Sequence, residues 1–269
     1  MKKTIITHFY NEEYLLPWWL KHHSRFFDDG ILIDYNSNDN SCDIIKQICP
    51  NWTIIKTKNK YFDSAIIDRE VSFIEKAITG WKICLNITEF LVGDYSIMDT
   101  LSHNRYQLLL GNYVFVDNKK EHLDQSSPLY NQITNGFHQD ERGISNLHHG
   151  DRALRSLHNY NIRYPGRGGR HFGGLESTQN LIIFYYGYLL NIKEMIHRKT
   201  QIQHNMSAKE YSTLKSKGEH PNIVTDETFK ERIIKYQLPK CKDMQNEIKR
   251  LITLQENYVN NKNNYMPSL

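Results

Sequence analysis

A chain of 269 residues with 39% hydrophobic and 12% aromatic content carries enough apolar surface for a substantial core, which excludes a disordered chain. Its formal charge of +4, from 34 basic and 30 acidic residues spread along the whole length, is too weak and diffuse for a nucleic-acid footprint by itself. Four cysteines without a CxxC pair exclude a zinc ribbon or a disulfide framework, and no run approaches the roughly 18 apolar residues that span a bilayer.

Met1-Lys2-Lys3-Thr4 passes directly into a strand-like run, Lys3 to Phe9, with no room for an apolar leader, so a reducing, cytoplasmic setting is the expectation. The triplets at Asn51, Asn86 and Asn205 are then coincidental in a chain rich in Asn and Ser. Glu12 to Ser24 has a helical pattern, Gly30 to Asp34 is a second apolar strand, and Ser41 to Ile48 a short helix. Trp52 to Lys56, Ser64 to Ile78 and Trp81 to Leu85 continue the alternation as strand, amphipathic helix and strand. Short connections between such units predict an α/β fold, a Rossmann-like and mostly parallel central sheet flanked by helices.

Beyond Leu91 a β segment is expected from Tyr106 to Val116, followed by a polar stretch to Gly150 without clear periodicity. Strand-like runs return near Ala153 to Leu157 and Leu181 to Tyr186, around a Gly- and Arg-rich turn, Tyr164-Pro-Gly-Arg-Gly-Gly-Arg-His-Phe172. From Lys193 onward the pattern is helical, with breaks near Gly218 to Asn222 and at Leu238-Pro239, and a last helix from about Lys240 to Asn260. Residues 1–222 are expected to form the main domain and 223–269 a C-terminal helical extension.

Ligands of such sheets sit at the carboxyl ends of the strands, where the strand order reverses. The first strand ends in His8-Phe9-Tyr10-Asn11-Glu12-Glu13, followed by Trp18-Trp19-Leu20-Lys21-His22-His23. The second ends in Asp34-Tyr35-Asn36-Ser37-Asn38-Asp39-Asn40-Ser41. Asp34 can accept hydrogen bonds from a base or ribose, while Ser37 or Asp39 can cap the next helix.

In these two motifs, on consecutive strand ends, the chain resembles the glycosyltransferase-A fold and within it the family 2 type of glycosyltransferase. The resemblance is best from Lys3 to about Gly93. It implies a nucleotide-diphosphate sugar bound over the first strands, with Asn11, Glu12 and Asp34 near the nucleotide and Arg69 as a basic contact from the third helix. It also implies transfer to a hydroxyl acceptor, a glycan or a lipid- or protein-linked saccharide, with inversion, and allows peripheral contact with a membrane.

Where the family carries Asp-x-Asp-Glu-Phe, a motif that holds Mn²⁺ or Mg²⁺ against the donor's phosphates, this sequence reads Asn86-Ile87-Thr88-Glu89-Phe90. Neutral amide and hydroxyl groups bind hard cations less strongly than carboxylates. Three outcomes stay open: Glu89, with Asn86 and a later His171, holds the metal; cationic side chains replace it; or donor binding is lost. The diphosphate is expected beside Asp34 and Glu89, both facing one cleft. Arg167 and Arg170 offer forks that match phosphate geometry, and Asp140, Glu141 and Asp151, with Glu176 as an outsider, are the candidate bases. Lys199 and His220 read more simply as solvated helix positions. The competing classes are a non-catalytic nucleotide-sugar or glycan-binding relative, a nucleotidyltransferase on a similar sheet, and a nucleic-acid-binding module built on Arg163, Tyr164, Arg167 and Arg170.

Overall fold

A computed structural model describes residues 1–139, 155–162, 176–216 and 224–264. The chain runs β1 (Lys3–Phe9), α1 (Leu16–His23), β2 (Asp29–Asp34), α2 (Ser41–Ile48), β3 (Thr53–Lys56), α3 (Ser64–Lys76) and β4 (Trp81–Cys84). It continues through β5 (Glu89–Gly93), α4 (Ile97–Thr100), β6 (Gln107–Asp117), β7 (Asn135–His138), β8 (Arg155–His158) and β9 (Glu176–Leu189). The described part closes with α5 (Lys193–Thr200), α6 (Ala208–Ser216), α7 (Asp226–Tyr236), β10 (Lys242–Asp243) and α8 (Gln245–Asn264).

The first four strands form a parallel block in the order β4-β1-β2-β3. Such strands are covered on both faces, and β1, buried at six of its seven positions, reads accordingly as a nearly continuous apolar run. Neighbouring residues of β1 point to opposite sides. Ile5 joins the main core with α1 and α2, whereas Ile6 packs with Ile67 and Val71 of α3. The chain moves from β1 outward to β2 and β3 and then returns to lay β4 on the other side of β1, so the strand order reverses between β1 and β4. Beyond β4 the sheet becomes mixed: β8 and β6 pair antiparallel, β9 runs parallel to β6, and β5 pairs antiparallel with β9.

Three expectations change in detail. α1 begins at Leu16 rather than Glu12, because the Glu12 carbonyl accepts from both Leu15 and Leu16 in a turn and Pro17 suits the first helical turn. Glu89 does not end β4 but opens β5, and β7 lies inside the stretch that had no readable period, since four residues are too short to display one. Residues after 223 contribute Met244, Ile248, Leu251 and Tyr258 to the main core. Lys3 ties α8 to the start of β1 by donating to the Tyr258 hydroxyl at 2.6 Å and pairing with Asp99 at 2.7 Å. No described helix is long and apolar enough to cross a membrane.

Candidate functional site

The loops after β1 and β2 carry the two sequence motifs, and the motifs bond to each other. Ser37 Oγ accepts the Asn11 amide at 3.0 Å, Ser41 Oγ that of Glu12 at 2.9 Å, and Asp39 Oδ2 that of Glu13 at 3.0 Å. In return the Asn38 amide donates to Asn11 Oδ1 and the Asn40 amide to Glu13 Oε2. Asn11 (φ 50°) and Asn36 (φ 64°) both sit in the left-handed region, which Asn tolerates better than most residues. Small polar side chains at these positions therefore satisfy turn amides of the neighbouring loop. Asp39 also accepts the Ser41 amide in the turn that leads into α2, whose N-cap is Asn40 rather than Ser37 or Asp39, and Ser37 serves the other loop.

The carboxylate of Asp34 turns back to accept the Ser37 amide at 2.8 Å, closing its own loop. Asp34 is absent from the cleft wall described below, where the sequence reading had it facing the ligand. Arg69 is exposed on α3 and also lies off that wall. Its neighbour Glu70 turns to the strand ends instead, accepting from the Tyr35 hydroxyl at 2.5 Å and from Thr57 and Asn59.

The segment after β4 is held from α1. Trp19, fully buried, donates its indole N–H to the carbonyls of Asn86 and Glu89 at 3.1 and 3.0 Å. One turn on, the His pair takes both backbone groups of Leu91. Its amide donates to His23 Nε2 at 3.2 Å and its carbonyl accepts from His22 Nε2 at 2.6 Å. These bonds set the tautomers, because an Nε2 that accepts leaves His23 Nδ1 to donate to the Trp19 carbonyl at 3.0 Å. Burial pushes the His22 imidazole down to about 4 and that of His23 well below its ordinary 6.5.

Glu89, 1% exposed, has both oxygens engaged. Arg155 donates through Nε to Oε2 and through Nη2 to Oε1, each at 2.9 Å, and the Asn86 amide adds a bond to Oε2 at 2.7 Å. Arg155 neutralises the carboxylate in this bidentate pair, so Glu89 brings no net negative charge to a divalent ion, and Asn86 brings none either. Among the described residues no cluster of three or more His, Cys, Asp or Glu side chains could hold a metal. The described donor set thus does not fit the cation implied by the resemblance. The basic residue that meets Glu89 was not singled out from the sequence. Arg155 lies 66 positions away and becomes a partner through β8.

A cleft of about 260 Å³ opens at the carboxyl ends of the parallel strands, where the strand order reverses. Its wall includes His8 at the end of β1, Tyr10 and Glu12 after it, Tyr35 after β2, Asn86 and Thr88 after β4, and Arg198 and Lys199 from α5. Glu12 and Asn86 are the sequence-selected residues on this wall; Asn11 and Glu89 are not part of it. Glu12 is paired with Arg198, which donates through Nε at 2.7 Å and Nη2 at 2.5 Å. Burial opposes the Arg198 charge, but Glu12 more than offsets this and raises its pKa. Lys199 is half-buried, not solvated as the sequence suggested, and burial with Arg198 beside it pushes its ammonium down to about 8. A larger hollow of about 610 Å³, lined by Asp94, Asp99 and α8 residues, includes none of these strand ends.

Asp140, Glu141, Asp151, Arg163, Tyr164, Arg167, Arg170, His171 and His220 lie outside the described residues.

No family model and no curated protein matches the chain. Among solved structures, residues 1–349 of S. aureus TarS align over 88% of this chain and 72% of that one, with 10% identity and a TM-score of 0.43. The same protein in complex with UDP aligns over 46% of this chain and 38% of that one, with 14% identity and a TM-score of 0.35. HddC from Yersinia pseudotuberculosis aligns over 43% and 60%, with 15% identity and a TM-score of 0.29.

Proposed function

We propose that the chain is a glycosyltransferase of the glycosyltransferase-A type, moving a sugar from a nucleotide diphosphate to a hydroxyl acceptor. The observation that carries this reading is the cleft where β1, β2 and β4 end, walled by the altered motif at Asn86 and Thr88 and by the two cations of α5. The motif resemblance over the first third of the chain supports the same reading. Loops at a reversal of strand order are where sheets of this kind receive nucleotides.

In the reaction the acceptor oxygen bonds to the sugar's anomeric carbon as the bond from that carbon to the diphosphate oxygen breaks. The electron pair stays on the diphosphate, and the acceptor's proton passes to a carboxylate base. Inversion follows from a single displacement. The developing charge on the leaving group calls for fixed cations beside it, a requirement that Lys199, next to the Arg198–Glu12 pair, meets in the wall and that Arg167 and Arg170 would extend. Asp140, Glu141 and Asp151 are proposed as the base. Tyr10 and Tyr35 offer aromatic faces to a base or sugar ring.

A second reading, a nucleotide-sugar-binding relative without turnover, is favoured by one observation: the carboxylate left in the altered motif is spent on Arg155. A panel of nucleoside diphosphates and nucleotide sugars, screened by thermal shift and by product formation with and without Mn²⁺, separates the two. The enzyme gives selective stabilisation plus transfer or slow hydrolysis. The binding relative gives stabilisation alone, and a flat panel rejects both.

A further inference from the structure

Three features of the cleft combine into a charge argument. Arg198 and Glu12 neutralise one another through two hydrogen bonds, and Glu89 is neutralised by Arg155. Lys199 remains. Among the described residues no side chain accepts a hydrogen bond from its Nζ, although it lies half-buried beside the arginine of a completed ion pair. The carboxylates that bear on Lys199, Glu12 and Glu89, are each already bonded to an arginine, so among the described residues its ammonium has donors left for an anion that enters the cleft.

We infer that Lys199 is the side chain that meets the diphosphate of a nucleotide sugar in this cleft, in the role that a divalent cation fills where the motif keeps its carboxylates. The inference rests on the functional reading above. Asn86 and Thr88, on the same wall, have donors suited to phosphate oxygens and no negative charge to repel them, so the change that weakens a cation site also favours direct contact with the anion. The ammonium is compact and rotates its three donors freely, which suits a group whose charge grows as the sugar departs. Its lowered pKa agrees with a position that gains a proton's worth of charge preference only when an anion is bound.

The test uses the full chain and five probes, UDP, GDP, CDP, dTDP and ADP, titrated calorimetrically in EDTA and again with Mn²⁺, together with the matching nucleosides. For the diphosphate that binds, the expected result is affinity in EDTA within about threefold of that in Mn²⁺. Lys199→Met should then weaken the diphosphate at least tenfold and leave its nucleoside within about twofold, with Lys199→Arg recovering part of the loss. Lys215→Met, an exposed change on α6, is the charge control and should match the parent. Circular dichroism confirms that each variant is folded. Lys199→Gln replaces the methionine variant if that one fails. Binding that requires Mn²⁺, or that survives removal of the Lys199 charge unchanged, overturns the inference while sparing the functional reading. If no diphosphate binds under either condition, the functional reading falls and takes the inference with it.

Discussion

Glu89 and Arg155 form a buried, bidentate ion pair at 2.9 Å inside the sheet, and Glu89 is the one carboxylate left in the altered motif Asn86–Phe90. Breaking such a pair from one side leaves an uncompensated buried charge, which costs roughly 3–5 kcal/mol. Arg155→Met should therefore lower the free energy of unfolding by about that amount in urea titrations, and added Mn²⁺ should not recover it. The double change Glu89→Gln with Arg155→Met should lose less than Arg155→Met alone. A double variant as unstable as the single one would mean that the pair's charges are not what holds β5 against β8.

Ser41 reports on the bond network between the two motif loops. Its hydroxyl is fully buried and accepts the Glu12 amide, so Ser41→Ala strands that donor at a cost of about 1–3 kcal/mol. Because Glu12 also grips Arg198, the cleft should loosen at the same time. The expected outcome is a lower melting temperature together with weaker diphosphate affinity. An affinity unchanged beside a lowered melting temperature would uncouple the loop from the site.

The histidine pair predicts acid sensitivity. His22 at about 4, and His23 well below its ordinary value, remain neutral in the fold where the unfolded chain, near 6.5, takes up protons. Between pH 6.5 and 4 the unfolded state thus binds more protons, so stability falls as the pH falls through that window. The fall is on the order of a few kcal/mol. Urea midpoints measured from pH 4 to 7 should drop toward the acid end, and the slope should shrink in the His22→Gln, His23→Gln double variant, which has nothing to titrate there. An undiminished slope would assign the acid sensitivity to other groups.

Lys199 predicts the opposite flank. Below about 8 the free protein carries the charge that an anion prefers; above it the proton must be supplied on binding. Diphosphate affinity should fall as the pH rises from 8 to 9, by up to about tenfold, since the ligand's own last ionisation, near 6, is already complete. Arg198, Glu12 and Glu89 are the charged groups that bear on Lys199. Lys199→Arg should flatten the dependence in the same calorimetric titration.

Much of the fold was legible in the order of residues. Alternation of apolar runs with amphipathic segments gave β1 and α2 to the residue and most other early elements within a few residues, because local propensity and burial period agree there. That a cleft would open at the carboxyl ends of the parallel strands was expected from the βαβ pattern, but Asp34 and Glu89, the two carboxylates expected to face it, are not in its wall. What stayed hidden was partnership at long range. Nothing in the spacing tells that Glu12 meets Arg198 across 186 positions or Glu89 meets Arg155 across 66. Local period says which face of an element is buried, but the choice of a counter-charge depends on how separate elements are brought together. Only the tertiary structure turned Asp34 back onto its own loop, enclosed Glu89 and brought Lys199 into the cleft, because burial and ion pairing are properties of the assembled sheet and of no single segment.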